Sequence, residues 1–271
     1  IYPKLNKKYK NIKFKGISFD SKNIKKNFIF FALKGSNSDG NKYINDAIKK
    51  GSKIIISENC QTGFKEKILY LKNENPRKLL ADFSVKLNNE KPKNLIAVTG
   101  TNGKSSIANF YYQILKINKI KAASIGTLGV NGINFKEKNN NTTFDPIQIN
   151  KLLKVLKTKK INNVILEASS HGLKQHRLDG LKFNIGIFTN LSRDHLDYHK
   201  SFKDYLDSKL ILFKKLMKKN SYIIYDNDLI ISSKLKYISK KRNLKNLTLG
   251  TKKSKLIIID HKFENMIQKV K

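Results

Sequence analysis

The run Leu95 to Val98 leads straight into Thr99-Gly100-Thr101-Asn102-Gly103-Lys104-Ser105-Ser106, and from Ser105 to Asn118 the apolar residues Ile107, Phe110, Tyr111, Ile114 and Leu115 recur at helical spacing and are expected to face inward. A short strand apolar on both faces, a glycine turn and an amphipathic helix in immediate succession leave few architectures open, because such a strand needs cover on both sides. Ala122 to Ile125, Val164 to Leu166, Ile185 to Phe188 and Tyr222 to Tyr225 repeat the apolar strand signal between helical stretches. The pattern predicts an α/β fold with a mostly parallel sheet over 91–271, whose ligands gather at the C-terminal ends of the strands.

Residues 1–90 read as a smaller α/β unit. Ile17 to Phe19, Phe28 to Leu33, Ile54 to Ile56 and Ile68 to Leu71 are strand-like, and Tyr43, Ile44, Ala47 and Ile48 mark a helical face closed by Gly51. A second helix is expected to begin with Asn75 as N-cap and Pro76 at its first position, with Leu79, Leu80, Phe83 and Leu87 inward. The polar stretch 88–94, NNEKPKN, reads as the linker between the two domains. Beyond Asp226 the chain is lysine-rich, with possible strands at Leu247 to Leu249 and Leu256 to Ile259.

A length of 271 residues with 39% hydrophobic content supports a sizeable core in one to two domains. The formal charge of +36 would ordinarily point to nucleic acid or an anionic membrane. The kind of basic residue argues otherwise: of 56 Lys and Arg, only Arg77, Arg177, Arg193 and Arg242 are arginines. Lysine is a solvated point charge, not the planar fork that reads bases and phosphates bidentately. Scattered lysines in an Asn- and Ile-rich chain with four Pro and no Trp fit compositional drift and a solvated coat. The lone Cys60 excludes a disulfide framework. No apolar run approaches the roughly 18 residues of a membrane helix, and the lysine-studded N-terminus has no signal-peptide core. The expectation is a cytoplasmic protein that engages neither nucleic acid nor membrane.

Three clusters carry chemistry. In the first, the glycines of Gly100-Thr101-Asn102-Gly103 let backbone N–H groups turn toward phosphate, Lys104 can reach the terminal oxygens, and Ser105 with Ser106 opens the helix, Ser105 being placed to ligate Mg²⁺. It departs from the usual loop spacing, since Val98 occupies the position of the first glycine. In the second, Glu167 follows the strand Val164 to Leu166 and opens the run Glu167-Ala168-Ser169-Ser170-His171-Gly172-Leu173, with Gln175, His176 and Arg177 after it. A carboxylate at a strand end in such a sheet is where a Mg²⁺ ligand belongs. The third cluster, Thr189 to His199, reads TNLSRDHLDYH and contains Asn190 and His195. After it, Phe202, Tyr205, Leu206, Leu210, Phe213 and Leu216 form a helical apolar stripe that includes Lys209. Spacing alone leaves Lys209 either a snorkelling stem or a chemically altered lysine.

Together with Asp20-Ser21-Lys22, Asp39-Gly40 and Asn141-Thr142-Thr143, these blocks resemble the Mur ligases, the ATP-dependent amide-bond ligases of peptidoglycan precursor synthesis. Within that family they are most similar to the members that add the third residue to UDP-N-acetylmuramoyl-L-alanyl-D-glutamate. The phosphate loop alone marks a wider group that includes folylpolyglutamate synthetase. The SSHGL-x-QHR and NLSRDHLDYH blocks are far more specific, and the likeness runs to about residue 225. The resemblance implies a UDP-sugar-binding domain over 1–90 and a central, P-loop ATPase-like domain over 91–271. It implies that Ser21 helps hold the uracil nucleotide, and that Gly100 to Ser106 and Asn190 hold ATP. Asn102, Asn141, Thr142, Thr143, Ser169, Gln175 and Arg177 would hold the muramoyl dipeptide. Ser105, Glu167, His195 and a carbamylated Lys209 would serve Mg²⁺, with Lys104, Glu167, His195 and Lys209 as the catalytic set. Phe144 stands where relatives often have Pro, a local departure.

The family's third, C-terminal domain, which binds the incoming amino acid, has no counterpart here. The expectation is a fragment ending within the central domain, in which ligation by these residues alone is absent or very weak. The alternatives are another ligase of the same type, adding D-alanyl-D-alanine or glutamate to folate, and, from charge alone, a basic P-loop protein that binds nucleic acid.

Overall fold

The computed structural model describes residues 9, 12–35, 38–134, 141–264 and 267–271, so the lysine-studded segment 1–8 lies outside the described residues. Two units share the chain: Ile1–Asn89 with Pro146–Asn150 and Gln175–Asp179, and Glu90–Asp145 with Lys151–Lys174 and Gly180–Lys271.

The first unit runs β1 (Gly16–Ser18), β2 (Phe28–Phe31), α1 (Ile44–Lys49), β3 (Ile54–Ser57), β4 (Gly63–Lys65), β5 (Ile68–Lys72) and α2 (Pro76–Leu87). Its sheet is ordered β1-β2-β3-β5-β4 and is parallel except between β4 and β5. Alternate residues of each strand face opposite sides, and both sides are covered. Ile29, Phe31, Ile54, Ile56, Leu69 and Leu71 pack with Leu79, Leu80 and Phe83 of α2, while Phe30, Ile55 and Ile68 pack with Ala47 of α1. That double cover is why the strands read as unbroken apolar runs. The start of α2 is as the spacing predicts: Asn75 Oδ1 accepts the Lys78 N–H at 2.9 Å and Pro76 takes the first helical position. Leu87, expected inward, is exposed at the last turn.

The second unit opens with β6 (Asn94–Thr99), α3 (Lys104–Ile117), β7 (Ala122–Gly126) and β8 (Gly129–Asn131), and takes α4 (Pro146–Thr158) from Lys151 onward. β9 (Asn163–Glu167), α5 (Ser170–Lys174), β10 (Phe183–Phe188), α6 (Phe202–Ile211) and β11 (Met217–Asp226) follow. The unit closes with α7 (Ser232–Arg242), β12 (Lys245–Gly250), β13 (Leu256–Ile257) and an antiparallel hairpin of β14 (His261–Glu264) and β15 (Ile267–Val270). The eight-stranded sheet is ordered β13-β12-β11-β10-β6-β9-β7-β8 and is parallel apart from β7 with β8. The mostly parallel α/β architecture expected from the sequence is therefore present. From β6 the chain moves to β7 on one side, returns to β9, and then crosses to β10 and β11 on the other. The C-terminal end of β6 thus lies where the winding reverses, the place at which such sheets leave a crevice. Among the described residues, no helix is long and apolar enough to cross a membrane.

One expectation about α3 is corrected. Ile107 and Tyr111 pack toward the sheet beside the buried Ala108, but Phe110 and Ile114, expected inward, are 59% and 57% exposed. The apolar residues of this helix span more than half of its circumference, so its 3.6-residue period alone could not choose which part of that arc the sheet covers. This difference is measurable. Phe183→Ala, which empties a fully buried site on β10, should cost about 3–5 kcal/mol, whereas Phe110→Ala should change stability by less than about 0.5 kcal/mol. Urea denaturation followed by circular dichroism checks both, and equal losses would contradict the α3 orientation.

Candidate active site

Leaving the central strand β6, the chain must turn sharply into α3 while staying close to β10. Gly100 has φ of 147° and Gly103 has φ of 81°, both in the region open chiefly to glycine. A Cβ on Gly100 would meet Thr189 Oγ1 at 1.9 Å, so the loop and the end of β10 approach as only glycine permits. The segment after β10 clamps the loop from outside. Asn190 O accepts the Thr101 N–H at 3.0 Å, Asn190 Oδ1 accepts the Asn102 N–H at 2.9 Å, and Thr189 Oγ1 donates to Asn102 O at 2.6 Å. With those two N–H groups engaged, the open donors at the start of α3 are left to face an anion, reinforced by the helix dipole. Lys104 folds back over the loop and donates to Gly100 O at 3.0 Å and to Thr101 O at 2.7 Å. Burial lowers its pKa, partly offset by the charges of Glu167 and Asp194.

Beside the loop, at the end of β9, Glu167 is 3% exposed. Its Oε2 accepts Ser105 Oγ at 2.9 Å and Thr127 Oγ1 at 3.2 Å, and its Oε1 accepts the Thr127 N–H at 3.0 Å. The Glu167 carboxylate and the Ser105 hydroxyl at the mouth of the loop form a hard-oxygen pair, which suits Mg²⁺ once phosphate oxygens and water complete the shell. Among the described residues no three His, Cys, Asp or Glu side chains gather in a metal-binding arrangement, so a cation here would depend on substrate oxygens.

The third group sits on α6. Lys209 is 1% exposed, and its Nζ donates to Gly100 O at 2.5 Å and lies 4.2 Å above the Tyr205 ring. Burial, aided by the nearby charge of Lys104, lowers its pKa to about 7. Tyr205 is fully buried and donates its hydroxyl to Thr101 Oγ1 at 3.1 Å; Thr101 Oγ1 also accepts the Ser192 N–H at 3.0 Å. His195, with φ of 51°, is half-exposed, and its ring packs on His171 and Tyr205 at centroid distances of 5.0 and 6.2 Å. Its ring contacts therefore lead to α5 and α6.

The other predicted residues fall in two places. In the second unit, Thr142 Oγ1 accepts Thr127 Oγ1 at 3.0 Å, and Asn141 and Ser106 are exposed. Thr143 is buried, donating to Glu167 O at 2.8 Å and accepting the Ser169 N–H at 2.9 Å, while Ser169 Oγ accepts the Gly172 N–H at 3.1 Å. In the first unit, Ser21 is buried in the turn that Asp20 caps through the Lys22 N–H. Arg177 donates Nε and Nη2 to Gln175 Oε1 at 3.2 and 2.8 Å. The neighbouring His176 holds this segment, with Nδ1 2.8 Å from Asp179 and Nε2 3.1 Å from Asn75 Nδ2. Sequence reasoning passed over Thr127. Its signal, Gly126-Thr127 directly after an apolar strand, is the same kind that exposed Glu167, but a lone hydroxyl stands out less than a carboxylate. It also took Tyr205 for an ordinary core residue.

Comparison with known proteins agrees with this geometry. A family model described as the Mur ligase middle domain matches residues 98–270, and one described as the Mur ligase family catalytic domain matches residues 13–84. The chain is 40% identical over 252 residues to the UDP-N-acetylmuramoyl-L-alanyl-D-glutamate--2,6-diaminopimelate ligase of Rickettsia prowazekii (strain Madrid E), covering 92% of this chain and 52% of the relative. The ligase of the same name from Chelativorans sp. (strain BNC1) is 39% identical over 243 residues, covering 90% and 50%. The chain thus spans about half the length of the curated relatives it matches. A solved structure of a UDP-N-acetylmuramoyl-L-alanyl-D-glutamate--2,6-diaminopimelate ligase superposes with a TM-score of 0.79 at 26% identity, over 95% of this chain and 53% of that one. The crystal structure of the MurF ligase from Thermotoga maritima in complex with ADP, at 19% identity and TM-score 0.62 over 96% and 56%, shares the fold. From the phosphate loop at the reversal of the sheet to the family models spanning both units, the chain belongs to the Mur ligase family.

Proposed function

We propose that this chain supplies the nucleotide- and muramoyl-peptide-binding portion of an ATP-dependent, cytoplasmic ligase that adds the third residue to UDP-N-acetylmuramoyl-L-alanyl-D-glutamate. The relatives' names favour 2,6-diaminopimelate as that residue. The observation that carries the proposal is the position of Glu167, held by Ser105 of the phosphate loop and by Thr127 at the next strand end.

In the proposed reaction an oxygen of the D-glutamate carboxylate attacks the γ-phosphorus of ATP and ADP leaves. The incoming amine then attacks the acyl phosphate carbon, phosphate departs and the amine proton is lost. A carboxylate is a poor acyl donor, so the first step supplies the leaving group that the second requires. Gly103 to Ser106 would receive the phosphates at the start of α3, and Lys104 would turn from the loop carbonyls to the transferred phosphoryl group. Asn190 would keep the loop in shape. Mg²⁺ bound by Ser105 and Glu167 would neutralise developing phosphate charge. Arg177, oriented by Gln175, has the fork that grips a carboxylate bidentately, and Thr142 and Ser169 offer hydroxyls to the peptide. Ser21 belongs to the proposed uridine-nucleotide end, and the domains are assigned as 1–90 and 91–271. Burial lowers the pKa of the Lys209 amine to about 7, so roughly half of it is neutral near pH 7. A neutral amine is the form that takes up CO₂, which supports a carbamylated Lys209, an anion able to help position the cation together with His195.

Calorimetric titration of the purified chain should show separate binding of Mg²⁺–ATP and of UDP-N-acetylmuramoyl-L-alanyl-D-glutamate; indifference to the second ligand would favour a folate-type ligase. Lys104→Ala should weaken ATP binding about 10- to 100-fold, the usual scale for a hydrogen bond to a charged group.

Two further outcomes follow from packing. A Cβ on Gly126 would meet Glu167 Oε1 at 2.0 Å, so Gly126→Ala should displace the carboxylate and raise the Mg²⁺ requirement for ATP binding about tenfold while leaving the circular dichroism spectrum intact. Lys209→Met should abolish ligation by an enzyme that carries it, yet stabilise the fold at pH 7 by about 1–3 kcal/mol in CO₂-free buffer. The sign follows from linkage: a lysine whose folded pKa is lowered destabilises the fold fully below about pH 7, and that burden fades as pH rises toward the unfolded value. The advantage of the Met variant should therefore shrink between pH 7 and pH 10 in urea titrations.

A further inference from the structure

We propose that Thr127 is a positioning residue for the cation that accompanies ATP, acting by fixing the direction of the Glu167 carboxylate; this rests on the nucleotide-binding function proposed above. Glu167 leaves the end of β9 and crosses Gly126, whose missing side chain gives it room. Its two oxygens are then held differently. Oε1 receives the Thr127 main-chain N–H at 3.0 Å, while Oε2 receives two hydroxyls, Ser105 Oγ at 2.9 Å and Thr127 Oγ1 at 3.2 Å.

A cation bound by Ser105 Oγ and Glu167 changes this balance. The Ser105 hydroxyl must then present a lone pair to the metal, and its proton can no longer be aimed at Oε2. Thr127 becomes the remaining side-chain donor on that oxygen. Together with its own N–H it is the bidentate clamp that keeps the carboxylate turned toward the phosphate loop, the kind of outer hydrogen bond that sets metal affinity. The same hydroxyl lies 3.0 Å from Thr142 Oγ1. Because it has one proton, it donates to Thr142 or to Glu167 but not to both, so the donor available to the carboxylate depends on what Thr142 itself binds. Thr127 is exposed on the strand end, so these hydrogen bonds, not core packing, are what a substitution there removes.

The test compares Thr127→Val, which keeps the shape and the main-chain N–H but removes the hydroxyl, with Thr127→Ser, which keeps the hydroxyl. A fluorescent ATP analogue is titrated into the full chain at increasing Mg²⁺ and again in EDTA. The Val variant should need about tenfold more Mg²⁺ for half-maximal binding, with metal-free ATP affinity unchanged, and Ser should restore the parental Mg²⁺ requirement to within about twofold. A Val variant with the parental Mg²⁺ dependence would overturn the proposal, as would equal losses in Val and Ser with and without metal. A parent chain that binds ATP but shows no Mg²⁺ dependence would overturn it too, leaving nucleotide binding intact. A parent that binds no ATP overturns the functional proposal, and this one with it.

Discussion

A carboxylate buried at the end of a central strand would cost several kcal/mol if its oxygens were unsatisfied, and in this protein three donors converge on Glu167. Two come from Thr127 after β7 and one from Ser105 on α3, so three elements must arrive in register before the group can be buried. β9 pairs with β6 at Val98 and Glu167, and with β7 at Ile125 and Leu166. A slip of one residue in either pairing would turn Glu167 to the opposite face of the sheet. The apolar alternation that builds the core thus also aims the carboxylate. Gly126 completes the constraint by offering no Cβ where the side chain passes.

On the other side of β6 the same logic works through the backbone. β10 pairs with β6 as far as Phe188 and Thr99, which delivers Thr189 and Asn190 against the turn. Their hydrogen bonds to Thr101 and Asn102 fix a loop that would otherwise be a flexible glycine segment. Tyr205 braces it from below through Thr101. The phosphate loop is therefore shaped by the two strands beside it and by α6 more than by its own glycines, which make the close approach sterically possible.

Much of this was legible in the sequence because it rests on local signals. Strand, glycine turn and helix around Gly100 to Ser105 adjoin one another in the chain, and Glu167 stands out as a carboxylate ending an apolar run. The stripe that buries Lys209 was visible as helical spacing, although Phe202 at its start is 39% exposed. What stayed hidden depends on partners distant in sequence. Thr127 gains its meaning only from Glu167, 40 residues later, and the exposed edge of α3 could not be chosen within so wide an apolar arc. The short edge strands β4 and β8 were missed because each holds a single large apolar residue, Phe64 and Val130, and so shows no apolar run.

The charge of +36 finds its physical place in this contrast. Lysines on the surface cost little and say little about function, since each is solvated. Lys104 and Lys209 differ because both ammonium groups reach the same Gly100 carbonyl, and among the described residues neither has a carboxylate within ion-pairing distance. Two amines crowded on one carbonyl, one of them almost fully buried, are unfavourable for folding whenever both are charged. Under the proposed function the arrangement would become favourable when anions enter: a phosphate at Lys104 would draw one charge from the carbonyl, and conversion of Lys209 to a carbamate would remove the other. The loop thus carries a concentration of amine groups that anionic ligands of the proposed reaction would offset.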